Sequence, residues 1–506
     1  MLREVKTENG IVRGLPAADP RITAFKGIPF AAPPVGKNRW RAPQTCEDWE
    51  GVLEAYQFAP ISVQDTPGVG DDIYTKEWHV DPDIPMSEDC LYLNVWTNAK
   101  SSDAKLPVMV WFFGGALQWG YPAEMEFDGE RIARRDVVVV SVNYRINVFG
   151  FMAHPEITKE SPEAPTNFGN LDQKAGLEWV IRNIEAFGGD PNNITIAGQS
   201  AGGGSVLSQM TCMKNEGLFQ KAIVMSAFIR NPYDDFSIGS PAQMDEAEKN
   251  GEDFFAFIGA KTLDEARAMD AFYIRDKYAE YAATHPRFMT VQDNQFCCGD
   301  PTRMIYEGNY VHVPLMSGNT QDEFLGFIPV GSMEEVEAFA RERFGEDAQT
   351  FMEFPEAKMQ LGENQYAPVN GIACTVKKVF LDKTANGDRA NNYYYCFNPD
   401  IPGKDQPGTF HSVDLWFFFE TLAKCWRPFK GYHYDLSRLM CNYMTNFIKT
   451  GDPNGTDADG TPMPQWDPYT KENPCKMNFV SEGAVVDCSE ETAYHTFMME
   501  QIAKRI

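Results

Sequence analysis

The feature that most constrains the fold is the stretch 192–206, read as N-N-I-T-I-A-G-Q-S-A-G-G-G-S-V. A β-branched run, Ile194-Thr195-Ile196, leads into Gly198-Gln199-Ser200-Ala201-Gly202. This is a G-x-S-x-G pentapeptide placed where a buried strand ends and a helix begins. To raise a serine Oγ above a sheet edge, the chain must turn sharply from strand to helix, and the turn crowds its own backbone. Glycines two before and two after the serine remove the Cβ atoms that would clash. Ser200 then sits at a helix N-terminus, where free N–H groups and the macrodipole favour negative charge. An ordinary Gly/Ser turn can carry the same letters. The strand before and the glycine-rich helix start after favour a nucleophile elbow.

The rest of the chain reads as an α/β fold. Pro107-Val108-Met109-Val110-Trp111-Phe112-Phe113 and Val137-Val138-Val139-Val140-Ser141-Val142 are near-continuous apolar runs. Such runs suit strands buried on both faces, in a parallel sheet covered by helices. Residues 171–187 have helical spacing and stop at Gly188-Gly189-Asp190-Pro191. Residues 222–226 form another short strand, and 313–316 and 392–397 read as the last two. Residues 25–34 are too proline-rich for regular structure, and 64–85 read as an acidic surface loop. Residues 244–285 are helical and acidic, suited to a cap over a pocket. Strand–helix alternation predicts one α/β domain over 1–506, with insertions around 60–85, 230–310 and 325–370 forming the pocket wall and cap.

Charge narrows the partners. With 72 acidic and 45 basic residues, the formal net charge is −27. The resulting field repels nucleic acid and anionic membranes. No apolar run reaches membrane-spanning length, and residues 1–7 lack the apolar core of a secretory signal. Eleven cysteines, an odd number without metal-ligand spacing, read as reduced, mostly buried thiols of a cytoplasmic protein. No cofactor and no metal is expected. A small-molecule substrate and a monomer or weak homo-oligomer are.

A serine hydroxyl needs a base, and a histidine base needs a carboxylate to hold its tautomer. In a hydrolase sheet the chain order is serine, acid, histidine. His411, His433 and His495 lie late enough; His411, between a Pro/Gly loop and an aromatic run, is placed best. The acid is Asp322 or Glu323, where a buried strand turns polar. Phe113-Gly114-Gly115-Ala116 follows a buried strand, so its N–H groups, with that of Ala201, suit an oxyanion hole. Trp119, Phe410 and Trp416 lie near these residues in sequence and suit either a substrate pocket or core packing.

Further motifs carry a resemblance. They are Arg39-Trp40-Arg41-Ala42-Pro43, Glu88-Asp89-Cys90-Leu91-Tyr92-Leu93-Asn94-Val95, Asn143-Tyr144-Arg145, Asn170-Leu171-Asp172-Gln173, Phe187-Gly188-Gly189-Asp190-Pro191 and Gly451-Asp452-Pro453-Asn454. With the serine signature, they make the chain resemble the type-B carboxylesterases, the cholinesterase-like branch of the α/β-hydrolases, over nearly its whole length. The resemblance implies a central, mostly parallel sheet flanked by helices, with large helical and loop insertions over the site. It implies ester hydrolysis by Ser200, His411 and Glu323, with oxyanion donors at Gly115, Ala116 and Ala201. Ser226 matches a serine that hydrogen-bonds near the catalytic histidine, and Arg39–Glu88 and Arg145–Asp172 match structural ion pairs. Many members have Glu where this chain has Gln199, which argues against choline specificity. The position where the family's first disulfide has the partner of Cys90 holds Ser62, in keeping with a reducing compartment. Other variants suggest a bacterial, para-nitrobenzyl-esterase-like member. An amidase or a phenolic-ester hydrolase on the same triad is the alternative; a non-catalytic adhesion protein is the remote one.

Overall fold

Apolar, β-branched runs become the middle of one large sheet. The computed structural model describes every residue except 236, 238 and 360–363; these six fall in the expected insertions 230–310 and 325–370 and lie outside the described residues. Among the described residues, the sheet has eleven strands. In chain order they are β1 (Leu15–Pro16), β2 (Thr23–Pro29), β3 (Tyr92–Thr97), β4 (Leu106–Phe112), β5 (Val138–Val142) and β6 (Gly189–Gln199). They continue with β7 (Lys221–Met225), β8 (Leu315–Thr320), β9 (Asn392–Asn398), β10 (Lys476–Val480) and β11 (Gly483–Asp487). Their order across the sheet is β11-β10-β9-β8-β7-β6-β4-β5-β3-β2-β1. The strands from β5 to β10 run parallel, and the outer strands pair antiparallel. Every residue of β5, β7 and β8 is buried, as expected of strands covered on both faces.

Two sequence readings need correction. The proline-rich segment at 25–34 is regular in its first half, as β2. Phe25 and Ile28 are fully buried there, and Pro29 stands at the strand's end, where a missing N–H is tolerated. The strands at 315–320 and 392–398 are not the last. The hairpin β10–β11 extends the sheet beyond them, turning at Gly483 with φ +126°. The thiol reading changes as well, because Cys475 and Cys488 form a disulfide across the base of this hairpin. The other nine cysteines, Cys90 among them, are free.

Buried ion pairs fasten the loops to this frame. Arg145 Nη2 and Nε meet Asp172 Oδ1 and Oδ2 at 2.7 and 2.8 Å. Arg39 grips Glu88 at 2.6 and 2.7 Å. Its remaining donor reaches the carbonyls of Ala266 and Met269 at 2.9 and 2.8 Å, tying the helical region after residue 244 to the body. Residues of the 325–370 segment instead pack with Tyr494, Met498 and Ile502 of the C-terminal helix in a separate apolar cluster.

Thiol counting checks the disulfide. The denatured protein should titrate nine thiols without reductant and eleven after reduction; eleven in both would show that the bridge does not form.

Candidate active site

Each candidate residue stands where a strand of the sheet ends: Ser200 after β6, Gly114–Ala116 after β4, Ser226 after β7, Glu323 after β8 and His411 after β9. Crevices at the carboxyl ends of parallel strands are the usual binding places in open α/β sheets. Ser200 turns the chain at φ 56°, ψ −127° and caps the helix Ala201–Thr211. A Cβ at Gly198 would lie 2.3 Å from the Gly202 carbonyl oxygen, and one at Gly202 2.1 Å from that of Phe112. Both glycines of the pentapeptide are therefore forced by close approach of backbone to backbone.

The three candidate side chains form a continuous line. Ser200 Oγ lies 2.7 Å from His411 Nε2. His411 Nδ1 is hydrogen-bonded to Glu323 Oε2. Glu323, 2% exposed, also accepts from Ser226 Oγ at 2.6 Å and from the Thr320 N–H at 2.8 Å, both through Oε1. Ser226 thus acts on the acid rather than on the histidine. The edge of Phe324 packs on the imidazole, with ring centres 4.8 Å apart. The Gln199 amide nitrogen lies 3.4 Å from His411 Nε2.

Asp322, the other acid candidate, has a different task. Its Oδ2 accepts from both the N–H and the hydroxyl of Thr409 at 2.8 Å, and its own N–H donates to Thr409 Oγ1 at 3.2 Å. It clasps the loop carrying His411 to the loop carrying Glu323. His433 is fully buried and donates or accepts only within its own surroundings, at Lys430 N and Asp400 O. His495 lies in the helix Ala493–Ala503.

Gly114 packs against Ser200: a Cβ there would lie 3.3 Å from Ser200 Cβ. Gly115 and Ala116 both have positive φ, 106° and 54°. Among the described residues, the N–H groups of Gly115, Ala116 and Ala201 donate to no protein acceptor. Unpaired N–H groups beside a nucleophile are what a developing oxyanion requires.

A cavity of about 480 Å³ opens at Ser200 and His411. Trp119, Trp78, Tyr74, Phe127 and Phe324 give it aromatic walls. Asp65, Asp72, Glu124 and Glu126 border it, and no described Lys or Arg does. Burial and the charge of Glu124 push the Glu126 carboxyl well above the usual carboxylate range. The segment 64–79 supplies much of the wall, including a short helix, Ile73–Glu77, capped by Asp72. None of the described residues of 325–370 reaches this cavity. A smaller cavity of about 210 Å³ lies on the other side of Ser200, against Leu117, Ala201, Ala227 and Ile229.

Of the three aromatic candidates, only Trp119 lines the main cavity. Phe410 stacks on Trp78 at 6.3 Å, and the fully buried Trp416 packs 6.2 Å from it. Trp78 is the wall residue that sequence reasoning missed. A large aromatic isolated within an acidic, turn-rich stretch was the available signal.

One further acid sits behind the site. Asp414 is fully buried; its Oδ2 accepts from the Tyr395 hydroxyl at 3.0 Å, and its Oδ1 meets no donor. Burial first, then the charge of Glu323, pushes its carboxyl up to about 7.

A mostly parallel sheet with a serine elbow above its carboxyl edge is an α/β-hydrolase architecture. The chain belongs to the carboxylesterase family, whose profile matches residues 2–393 and 369–497. It is 34% identical over 347 residues to a fumonisin B1 esterase of Sphingopyxis macrogoltabida, a match spanning 68% of this chain and 61% of that protein. To a cholinesterase of Mus musculus it is 30% identical over 505 residues, covering 91% of this chain and 81% of that one. Among solved structures, a PNB esterase superposes with a TM-score of 0.77 at 28% identity, covering 99% of both chains.

Two predictions follow from this geometry. Asp322→Ala should lower kcat by roughly 10- to 100-fold with KM little changed, because small displacements of a catalytic group are costly. Wild-type kcat in that variant would mean the loop places His411 without the clasp. Asp414 holds in the folded state a proton that the unfolded chain releases from about pH 4 upward, so its contribution to stability falls as pH rises from about 4 to about 7. Urea denaturation at pH 4.5, 6 and 8 should show Asp414→Asn flattening that decline. An unchanged profile would mean that Asp414 does not hold its proton.

Proposed function

We propose that this protein is a serine carboxylic-ester hydrolase working through an acyl-enzyme. The observation that carries the reading is the line from Ser200 Oγ through His411 to Glu323, opening on a 480 Å³ cavity. His411 takes the Ser200 proton as Oγ attacks the ester carbonyl. The N–H groups of Gly115, Ala116 and Ala201 receive the oxyanion; losing one such donor costs about 10²–10³ in rate. His411 then passes its proton to the departing alcohol. Water, deprotonated by the same imidazole, frees the acid. Glu323 holds the imidazole's tautomer and balances its charge. Ser226 and the Thr320 N–H hold Glu323.

Small to medium carboxylic esters fit the cavity. Its walls of Trp78, Trp119, Tyr74 and Phe324 favour aromatic groups among them. Hydrolysis of matched aromatic and alkyl esters tests this preference; an order-of-magnitude advantage for short alkyl esters would remove it. We take the setting as cytoplasmic and bacterial; the nine free cysteines support a reducing compartment, and the Cys475–Cys488 bridge counts against one. No helix among the described residues is long and apolar enough to cross a membrane. We take the working unit as a monomer or weak homo-oligomer that binds no nucleic acid.

The primary test is turnover of p-nitrophenyl esters from acetyl to octanoyl by wild type and Ser200→Ala. The variant should lose at least about 10³ of the rate. If both folded proteins are inactive, and an organophosphate fails to label Ser200, the hydrolase reading is wrong.

A further inference from the structure

A second cavity, of about 240 Å³, lies next to the first and has the opposite character. Gln118, Trp119, Asn147, Arg275, Tyr278 and Arg287 line it. Gln64, Asp65 and Trp119 border both cavities, so the wall between them is thin. Its central piece is the Trp119 indole. The Trp119 N–H donates to Asp65 Oδ2 at 2.9 Å, and the Arg287 guanidinium lies over the ring, 4.9 Å from its centre. The backbone beside it is fixed by Gln64, which accepts from the Gly120 N–H at 2.8 Å and donates to the Gly120 carbonyl at 3.0 Å.

The two guanidiniums differ. Arg275 is paired with Asp276 at 2.6 Å. Arg287 has no carboxylate within ion-pair distance among the described residues, in a chain with 27 more acidic than basic side chains. Asp65 lines the same cavity, and one of its oxygens is already engaged by the Trp119 indole. Stacking on an indole holds a guanidinium's plane while leaving its N–H fork free at the edges. Such a fork matches a carboxylate in two parallel hydrogen bonds.

We propose that this second cavity is a substrate subsite: Arg287, seated on Trp119 and backed by Arg275, receives a carboxylate carried by an ester whose reacting carbonyl lies at Ser200. The main cavity is bordered by four carboxyl groups and no described Lys or Arg, and its His79 is already paired with Glu124 at 3.1 Å, so the guanidinium across Trp119 is the better-placed contact for an anionic substituent. Trp119 thereby sets specificity twice, as a wall of one cavity and as the platform of the other. This inference rests on the hydrolase reading given above.

The test compares two matched series of 4-nitrophenyl esters of the same chain length. One acyl chain ends in a carboxylate (adipate to sebacate half-esters), the other in a methyl group. A second pair, 4-acetoxyphenylpropanoate and its methyl ester, places the carboxylate on the alcohol side. At low salt, at least one anionic arm should lose about two- to fivefold in kcat/KM relative to its neutral partner on Arg287→Gln, the size expected of an exposed pair. The loss should fall in KM, since it is binding common to ground and transition states. It should shrink at 0.5 M salt, and Arg287→Glu should deepen it. Equal losses for anionic and neutral esters would show that Arg287 merely supports Trp119, and no loss in either arm would show that the cavity takes no carboxylate; either result overturns the inference. Wild-type turnover of the neutral esters reports separately on the hydrolase reading, and its absence would remove both.

Discussion

The helix that starts at Ser200 lies so close to the sheet that no side chain fits between them. Gly202 approaches the Phe112 carbonyl to within 2.1 Å of where a Cβ would stand, and Phe112 is the last residue of β4. Two neighbouring strands and one helix are locked together by bare backbone. The strained Ser200 conformation persists because its N–H donates to Met225 O and its carbonyl accepts from Gly204 N, at 2.9 and 2.8 Å. The Gly114–Ala116 loop leaves the same strand end. Ser200, the proposed nucleophile, and the N–H groups beside it therefore share one rigid piece of main chain.

The proposed acid and base are held in a different way. Glu323 and His411 ride on loops after β8 and β9, and their placement depends on side chains: Asp322 on Thr409, Ser226 on Glu323. A second tie runs outside these loops. Arg427 Nε meets Glu77 at 2.6 Å, and the guanidinium lies 5.4 Å from the Phe410 ring. Glu77 precedes the wall residue Trp78, and Phe410 precedes His411. The aromatic wall and the loop carrying His411 are thus anchored to one buried cation, which couples the shape of the cavity to the position of the imidazole.

Much of this was legible in the sequence because it rests on local constraints. The elbow at Ser200 and the strands β4 and β5 announce themselves through glycine spacing and continuous apolar runs. His411 and Glu323 were harder: by residue type alone, His433 and Asp322 were rivals. The loop and aromatic context of His411, and the family resemblance for Glu323, separated them; in the structure it is His411 and Glu323 that are hydrogen-bonded to each other. Long-range pairings were not legible. Cys475 and Cys488 carry no mark of partnership, and β10 hides as a short mixed stretch, Lys476-Met477-Asn478-Phe479-Val480. The insertion around 60–85 was expected at the pocket wall, but which way its Trp78 and Tyr74 point could not be read from a polar loop. Arg287 and Trp119 lie 168 positions apart, beyond the reach of any periodicity.

The disulfide-tied hairpin also decides how the sheet ends. β11 is an outer strand, and its Val485 is 46% exposed. An unpaired edge is a template on which another extended chain can add. Here the outermost strand is short and is tied at its far end by Cys475–Cys488. Behind it stands β9, whose Tyr393-Tyr394-Tyr395 run is buried and rich in strand-forming residues. If the hairpin peeled away, that run would become the new border of the sheet. The bridge therefore serves as a hem: by closing the base of the hairpin it holds β10 and β11 over the run that would otherwise form the sheet's border.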